Sequence, residues 1–147
     1  MPRVFVVPGP SWKDRNMNSR RSLLLAVAAA VALLGTLPAY AAEWKPFDAA
    51  AFAQAQKDGK PILVDIFAAW CPVCRAQNPI LVQLTREPKF DGLVVFKIDF
   101  DDQKDAVRAV KATSQSTLIV YQGETEKGRS VGDTNAASIE ALLDQAL

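Results

Sequence analysis

Ile62-Leu63-Val64-Asp65-Ile66-Phe67-Ala68-Ala69-Trp70-Cys71-Pro72-Val73-Cys74 is the stretch from which the rest of the chain is read. Its first six residues are apolar and β-branched, a run that reads as a strand buried on both faces. The two cysteines follow at once and open a helical stretch through about Thr85, with Pro79 inside it. Proline there removes a backbone donor and predicts a kink. Helical geometry puts residues i and i+3 on one face, close enough for a disulfide within one turn. At the first turn Cys71 faces unpaired N–H groups and the positive end of the helix dipole. Both favour a thiolate, lowering its pKa from about 8.5 toward roughly 7 or below. Pro72 at the first helical position gives up an N–H that has no helical partner anyway. The thiolate is the attacking species, so Cys71 is the expected nucleophile and the more shielded Cys74 the resolving thiol.

Composition narrows the alternatives. The chain has 147 residues, two cysteines and no histidine. No Cys-His or Ser-His-Asp pair, His-ligated metal or imidazole acid–base chemistry is therefore available. Half a zinc ribbon fails for want of further ligands. A purely structural disulfide is the main competitor, but C-x-x-C closes too small a loop to stabilise a chain much. The two cysteines are the complete machinery, and no cofactor is needed. A formal net charge of +1 gives no reason to expect nucleic acid or an anionic membrane surface as partner.

Outward from the cysteines the pattern alternates. Asp48 can cap a helix over residues 49–57 that Gly59 ends, ahead of the strand at 62–67. Residues 93–99 read as a second strand and 102–112 as a short amphipathic helix. Residues 117–121 form a third strand, 123–128 a polar turn and 128–132 a short antiparallel edge strand. Thr134 or Asn135 caps a last helix through Ala146 that buries Ile139, Leu142 and Leu143. The expected fold is α/β, a central mixed sheet of about four strands with helices on both faces. Nothing in the strand pattern demands a dimer, so a monomer is expected.

With these residues in place, the domain resembles the thioredoxin-like proteins. Residues 65–75, Asp65-Ile66-Phe67-Ala68-Ala69-Trp70-Cys71-Pro72-Val73-Cys74-Arg75, match the family's strand–Trp-Cys-x-x-Cys–helix signature, and Pro79 falls where members kink that helix. The similarity runs from about residue 47 to the C-terminus. It implies the thioredoxin fold and dithiol–disulfide exchange with client proteins. By position, Asp65 matches the buried acid that manages the resolving thiol's proton, and a buried carboxyl should have a raised pKa. Lys97 matches the lysine beside that acid. Trp70, Pro72, Gln115 and Ser116 are the expected client-binding residues.

One position departs from the family. Its cis-proline immediately precedes a Thr-Leu pair; here Ser116 precedes Thr117-Leu118. A cis bond before a non-proline residue costs about 2.5–4 kcal/mol, so Gln115–Ser116 is expected to be trans or rearranged. A serine hydroxyl beside the thiols can donate a hydrogen bond to the Cys71 thiolate. Ser116 also motivates a second reading, a thioredoxin-fold module that holds a client or a metal and turns over little.

The first forty-one residues read as an address. Arg20 and Arg21 precede Leu23–Leu34, all Leu, Val or Ala, followed by Ala39-Tyr40-Ala41. This is the layout of a cleaved signal peptide, and the run is short of the roughly 20 residues that span a bilayer. Met17 is a candidate true start, and Ser19–Leu24 weakly resembles a twin-arginine signal. Removing residues 1–41, with five basic side chains and one acidic, leaves 106 residues at net charge −3. The expected location is periplasmic or secreted, where disulfides persist. With no positive charge between the cysteines, a reductase or isomerase is expected rather than a strong oxidase. A reductase there needs an electron donor, expected to be a membrane thiol transporter.

Overall fold

The computed structural model describes residues 41–147, and the signal-peptide reading of the N-terminal segment lies outside them. In chain order the elements are β1 (Glu43–Pro46), α1 (Ala49–Lys57), β2 (Pro61–Phe67), α2 (Pro72–Leu84), a 3₁₀ turn (Pro88–Phe90), β3 (Val94–Asp99), α3 (Lys104–Ala109), β4 (Thr117–Gln122), β5 (Thr125–Val131) and α4 (Ala136–Asp144). The strands form one mixed sheet in the order β1-β3-β2-β4-β5. β1, β3 and β2 run parallel, while β4 lies antiparallel to β2 and β5 antiparallel to β4.

The sheet has five strands, not about four. β1 escapes a hydropathy reading because Glu43-Trp44-Lys45-Pro46 alternates weakly and ends in proline, as suits an edge strand. β5 also begins earlier than expected, at Thr125, because β4 and β5 are joined through Gly123-Glu124 alone. Gly123 takes φ +58 at the first loop position, which only glycine adopts without strain. The helix expected over 102–112 is trimmed to Lys104–Ala109. Asp48 caps α1 through Ala51 N at 2.8 Å, and Asn135, not Thr134, caps α4 through Ser138 N at 3.0 Å.

Strand alternation sends successive side chains to opposite faces. Leu63, Val95, Leu118 and Val120 pack against Leu81, Leu84, Ile139 and Leu143, the face covered by α2 and α4. Ile62, Val64, Ile66, Phe96 and Ile119 pack against Ala55, Phe52, Val107 and Val110, the face covered by α1 and α3. Asp65 shares Leu63's parity and so points toward the α2 side. β2, central and buried, holds the turn that follows it as a fixed platform.

Candidate functional site

At the end of β2 the chain turns sharply, with Cys71 N donating to Ala68 O at 3.1 Å. The turn leaves Trp70 57% exposed and makes Cys71 the N-cap of α2. Cys71 has the extended backbone of a cap residue, φ −75 and ψ 116, and Pro72 occupies the first turn. Its Sγ accepts a hydrogen bond from Cys74 N at 3.1 Å, the place that a capping oxygen usually fills. The sequence therefore caps this helix with the same sulfur on which it places the chemistry. Both cysteines are unbonded thiols; Cys71 is 1% exposed and Cys74 8%.

The strand that opens at Thr117 brings Ser116 over the pair. Ser116 Oγ lies 3.0 Å from Cys71 Sγ and 3.2 Å from Cys74 Sγ. A hydroxyl carries one hydrogen, so it donates to one sulfur while accepting from the other. No peptide bond among the described residues is cis, in line with the trans expectation for Gln115–Ser116. Ser116 instead sits at φ +58, a left-handed conformation that costs a non-glycine residue about 1–2 kcal/mol. Gln115 is half-buried beside it, and Thr117 Oγ1 closes the loop by donating to Ser114 O at 2.7 Å.

The two thiols are not equivalent. Burial pushes the Cys71 thiol up, but hydrogen bonds from the Cys74 side chain, the Ser116 hydroxyl and the N–H groups of Cys74 and Val73 outweigh it. The group lies below the ordinary thiol value of 9.0. Cys74 moves the other way: burial, its hydrogen bond to Cys71 and that sulfur's charge raise it, and Ser116 and the Ala68 backbone offset only part. The geometry thus makes Cys71 the readier anion.

Asp65 and Lys97 meet on neighbouring parallel strands, Lys97 Nζ standing 3.6 Å from Asp65 Oδ2. Asp65 is 4% exposed, and burial raises its pKa against the lowering pull of Lys97. Lys97 is no freely solvated strand lysine, since its ammonium also lies 4.4 Å from the centre of the Phe67 ring.

Two residues at the site were not singled out from the sequence. Asp101 Oδ2 accepts from Trp70 Nε1 at 2.7 Å and pins the exposed indole. Asp99 Oδ1 shapes that turn by accepting from Asp101 N and Asp102 N. Gln77, on α2, is 1% exposed and donates through Nε2 to Asp133 O at 2.7 Å and Ser116 O at 3.4 Å. A polar residue on the buried face of a helix was the available signal for Gln77. Nothing local marked Asp101.

Among the described residues no group of three or more His, Cys, Asp or Glu side chains clusters as metal ligands would. None of their helices is long and apolar enough to cross a membrane. A groove lined by Phe52, Gln56, Arg108 and Tyr121 among others lies between α1 and α3 and includes neither cysteine.

A family model for thioredoxin matches residues 43–145. The chain is 33% identical over 96 residues to a thioredoxin of Alicyclobacillus acidocaldarius, covering 65% of this chain and 90% of that protein. A 34% match over 92 residues to the bifunctional thioredoxin reductase/thioredoxin of Mycobacterium leprae covers 63% of this chain and only 20% of that protein. Among solved structures, Trxlp from Edwardsiella tarda is 42% identical with a TM-score of 0.67, covering 69% of this chain and 98% of that one. A thioredoxin of Malassezia sympodialis, 19% identical with a TM-score of 0.65 over 77% of this chain and 97% of that one, shares the fold. The match over residues 43–145 places the chain in the thioredoxin family, thiol–disulfide oxidoreductases that work through a pair of cysteines.

Proposed function

We propose that residues 42–147 form an exported reductase or isomerase of client disulfides, with Cys71 attacking and Cys74 resolving. The observation that carries this reading is the inequality of the two thiols, Cys71 held low and Cys74 held high around one serine hydroxyl. The Cys71 thiolate attacks a client disulfide, forming a mixed disulfide and expelling one client sulfur as thiolate. Cys74 then gives up its proton and attacks Cys71 Sγ. The mixed bond breaks, the second client thiolate leaves, and the Cys71–Cys74 disulfide carries the two electrons' worth of oxidation. Asp65, with its raised pKa, is the acceptor for the Cys74 proton, and Lys97 tunes Asp65 through their ion pair.

Exposed Trp70, Pro72 and Val73, next to the cysteines in sequence, offer apolar contact to a client, with half-buried Gln115 beside Ser116 as a further client contact. Export rests on the residues of the N-terminal segment, Arg20-Arg21, the apolar run and Ala39-Tyr40-Ala41. The preference for reduction rests on Pro72-Val73, which places no charge beside the nucleophile. A reductase there draws its electrons from a membrane thiol donor.

Trapping tests the assignment. Cys74→Ala should accumulate mixed disulfides at Cys71, and capture that persists in a Cys71→Ala, Cys74→Ala double variant would refute it. Equilibration with glutathione buffers tests the direction, since a potential near the roughly −120 mV of the strongest oxidants would overturn the reductase preference. The alternative holding module, suggested by Ser116, predicts no insulin reduction above background.

A further inference from the structure

We propose that Gln77 is a positioning residue for the dithiol, fixing the left-handed Ser116 backbone so that the Ser116 hydroxyl stays in contact with both sulfurs. The inference rests on the reading of Cys71 as the attacking thiolate. It begins from a conflict at Ser116. Its φ of +58 is unfavourable for a serine, and such a conformation persists only where its surroundings over-determine it. Two donors hold its carbonyl. Gly132 N donates at 2.9 Å, and Gln77 Nε2 donates at 3.4 Å from the helix that carries the cysteines.

Gln77 lies three residues beyond Cys74 and so one turn along the same helical face. Both of its partners are carbonyl oxygens, which only the amide's NH₂ can serve, so they fix the orientation of the amide. Its stronger bond, 2.7 Å to Asp133 O, ties down the segment just past Gly132, the other donor to Ser116. One buried side chain thus braces the Ser116 carbonyl directly and the neighbouring loop as well. The arrangement carries a penalty, since Gln77 Oε1 is buried without a hydrogen-bond partner. A leucine or methionine at this position would fill the core without an orphaned acceptor. The amide's two bonds go to the serine loop and to the segment beside it, which marks its role as holding the hydroxyl over the sulfurs.

The test is the pH dependence of alkylation by iodoacetamide, with the modified cysteine identified by mass. Ser116→Ala should slow Cys71 alkylation at pH 6 about tenfold, the order expected for losing a charge-assisted hydrogen bond. Gln77→Met should move the profile in the same direction, by about threefold, and should add nothing in the Ser116→Ala background. Gln77→Leu serves if the methionine variant does not fold, with thermal melts reporting folding for each. An unchanged profile in the folded Gln77 variant overturns the positioning role, as does an equal slowing with Ser116 already removed. An unchanged profile in Ser116→Ala overturns both the hydroxyl's action and the positioning. Preferential modification of Cys74 in the unaltered protein overturns the assignment of Cys71 itself.

Discussion

Asp65 illustrates the conflict between folding and chemistry at a single residue. Burial holds its carboxyl above the ordinary value of 3.8, with Lys97 pulling the other way. A carboxyl that binds its proton more tightly when folded contributes most to stability below the unfolded value and loses that contribution as pH rises through the folded one. Asp65→Asn should therefore stabilise the fold at pH 7.5, where the buried carboxyl is driven to ionise against the cost of desolvation. The gain should vanish near pH 3.5, and urea melts at the two pH values check it. The same variant should slow insulin reduction if Asp65 takes the Cys74 proton. At this scale the sequence was legible wherever the relevant neighbours are local: Cys71, Pro72 and Cys74 share one turn, and their spacing predicts their geometry. Asp101 and Gln77 act on residues 31 and 39 positions away, and no spacing within an element reveals such contacts. Asp101→Ala should free the Trp70 indole and raise KM for insulin more than it lowers kcat.

Elements followed the sequence where a cap or a hydrophobic period marked them. Asp48 and Asn135 each satisfy an orphan N–H of the helix they precede, and Asp48→Ala should cost about 1 kcal/mol in urea melts. β1 was missed because its stability comes from pairing with β3, Trp44 opposite Val95, and not from its own apolar content. The hairpin was misplaced because its turn uses a single glycine, with the polar residues after it already in β5. At Gly123 an added Cβ would lie 3.2 Å from Gln56 O, so Gly123→Ala should destabilise by both strain and crowding, read as a loss in Tm.

The described domain as a whole is two hydrophobic layers sharing one sheet, with β2 contributing to both. Leu63 and Ile119 are fully buried on opposite faces. Leu63→Ala should cost about 2–5 kcal/mol, and its combination with Ile119→Ala tests whether a shared sheet couples the layers. The alternation of helices and buried strands revealed this architecture before any contact was known, since each buried strand needs cover on both faces. The order of the strands is a tertiary fact with no local signature, and the contact of Ser116 with the sulfurs was legible only through the family position that precedes Thr117-Leu118.

The start of the described domain bears on its processing. Ala42 is 9% exposed, its N donates to Thr85 O at 3.3 Å, and Glu43 N donates to Leu93 O at 2.9 Å. If the leader is cut after Ala41, the residues on one side of the scissile bond become a sheet edge once β1 docks on β3. A peptidase needs an extended, accessible segment, so such a cut would have to come before β1 docks. In that case the edge strand would act as a clock, with the leader removed only while the sheet is incomplete.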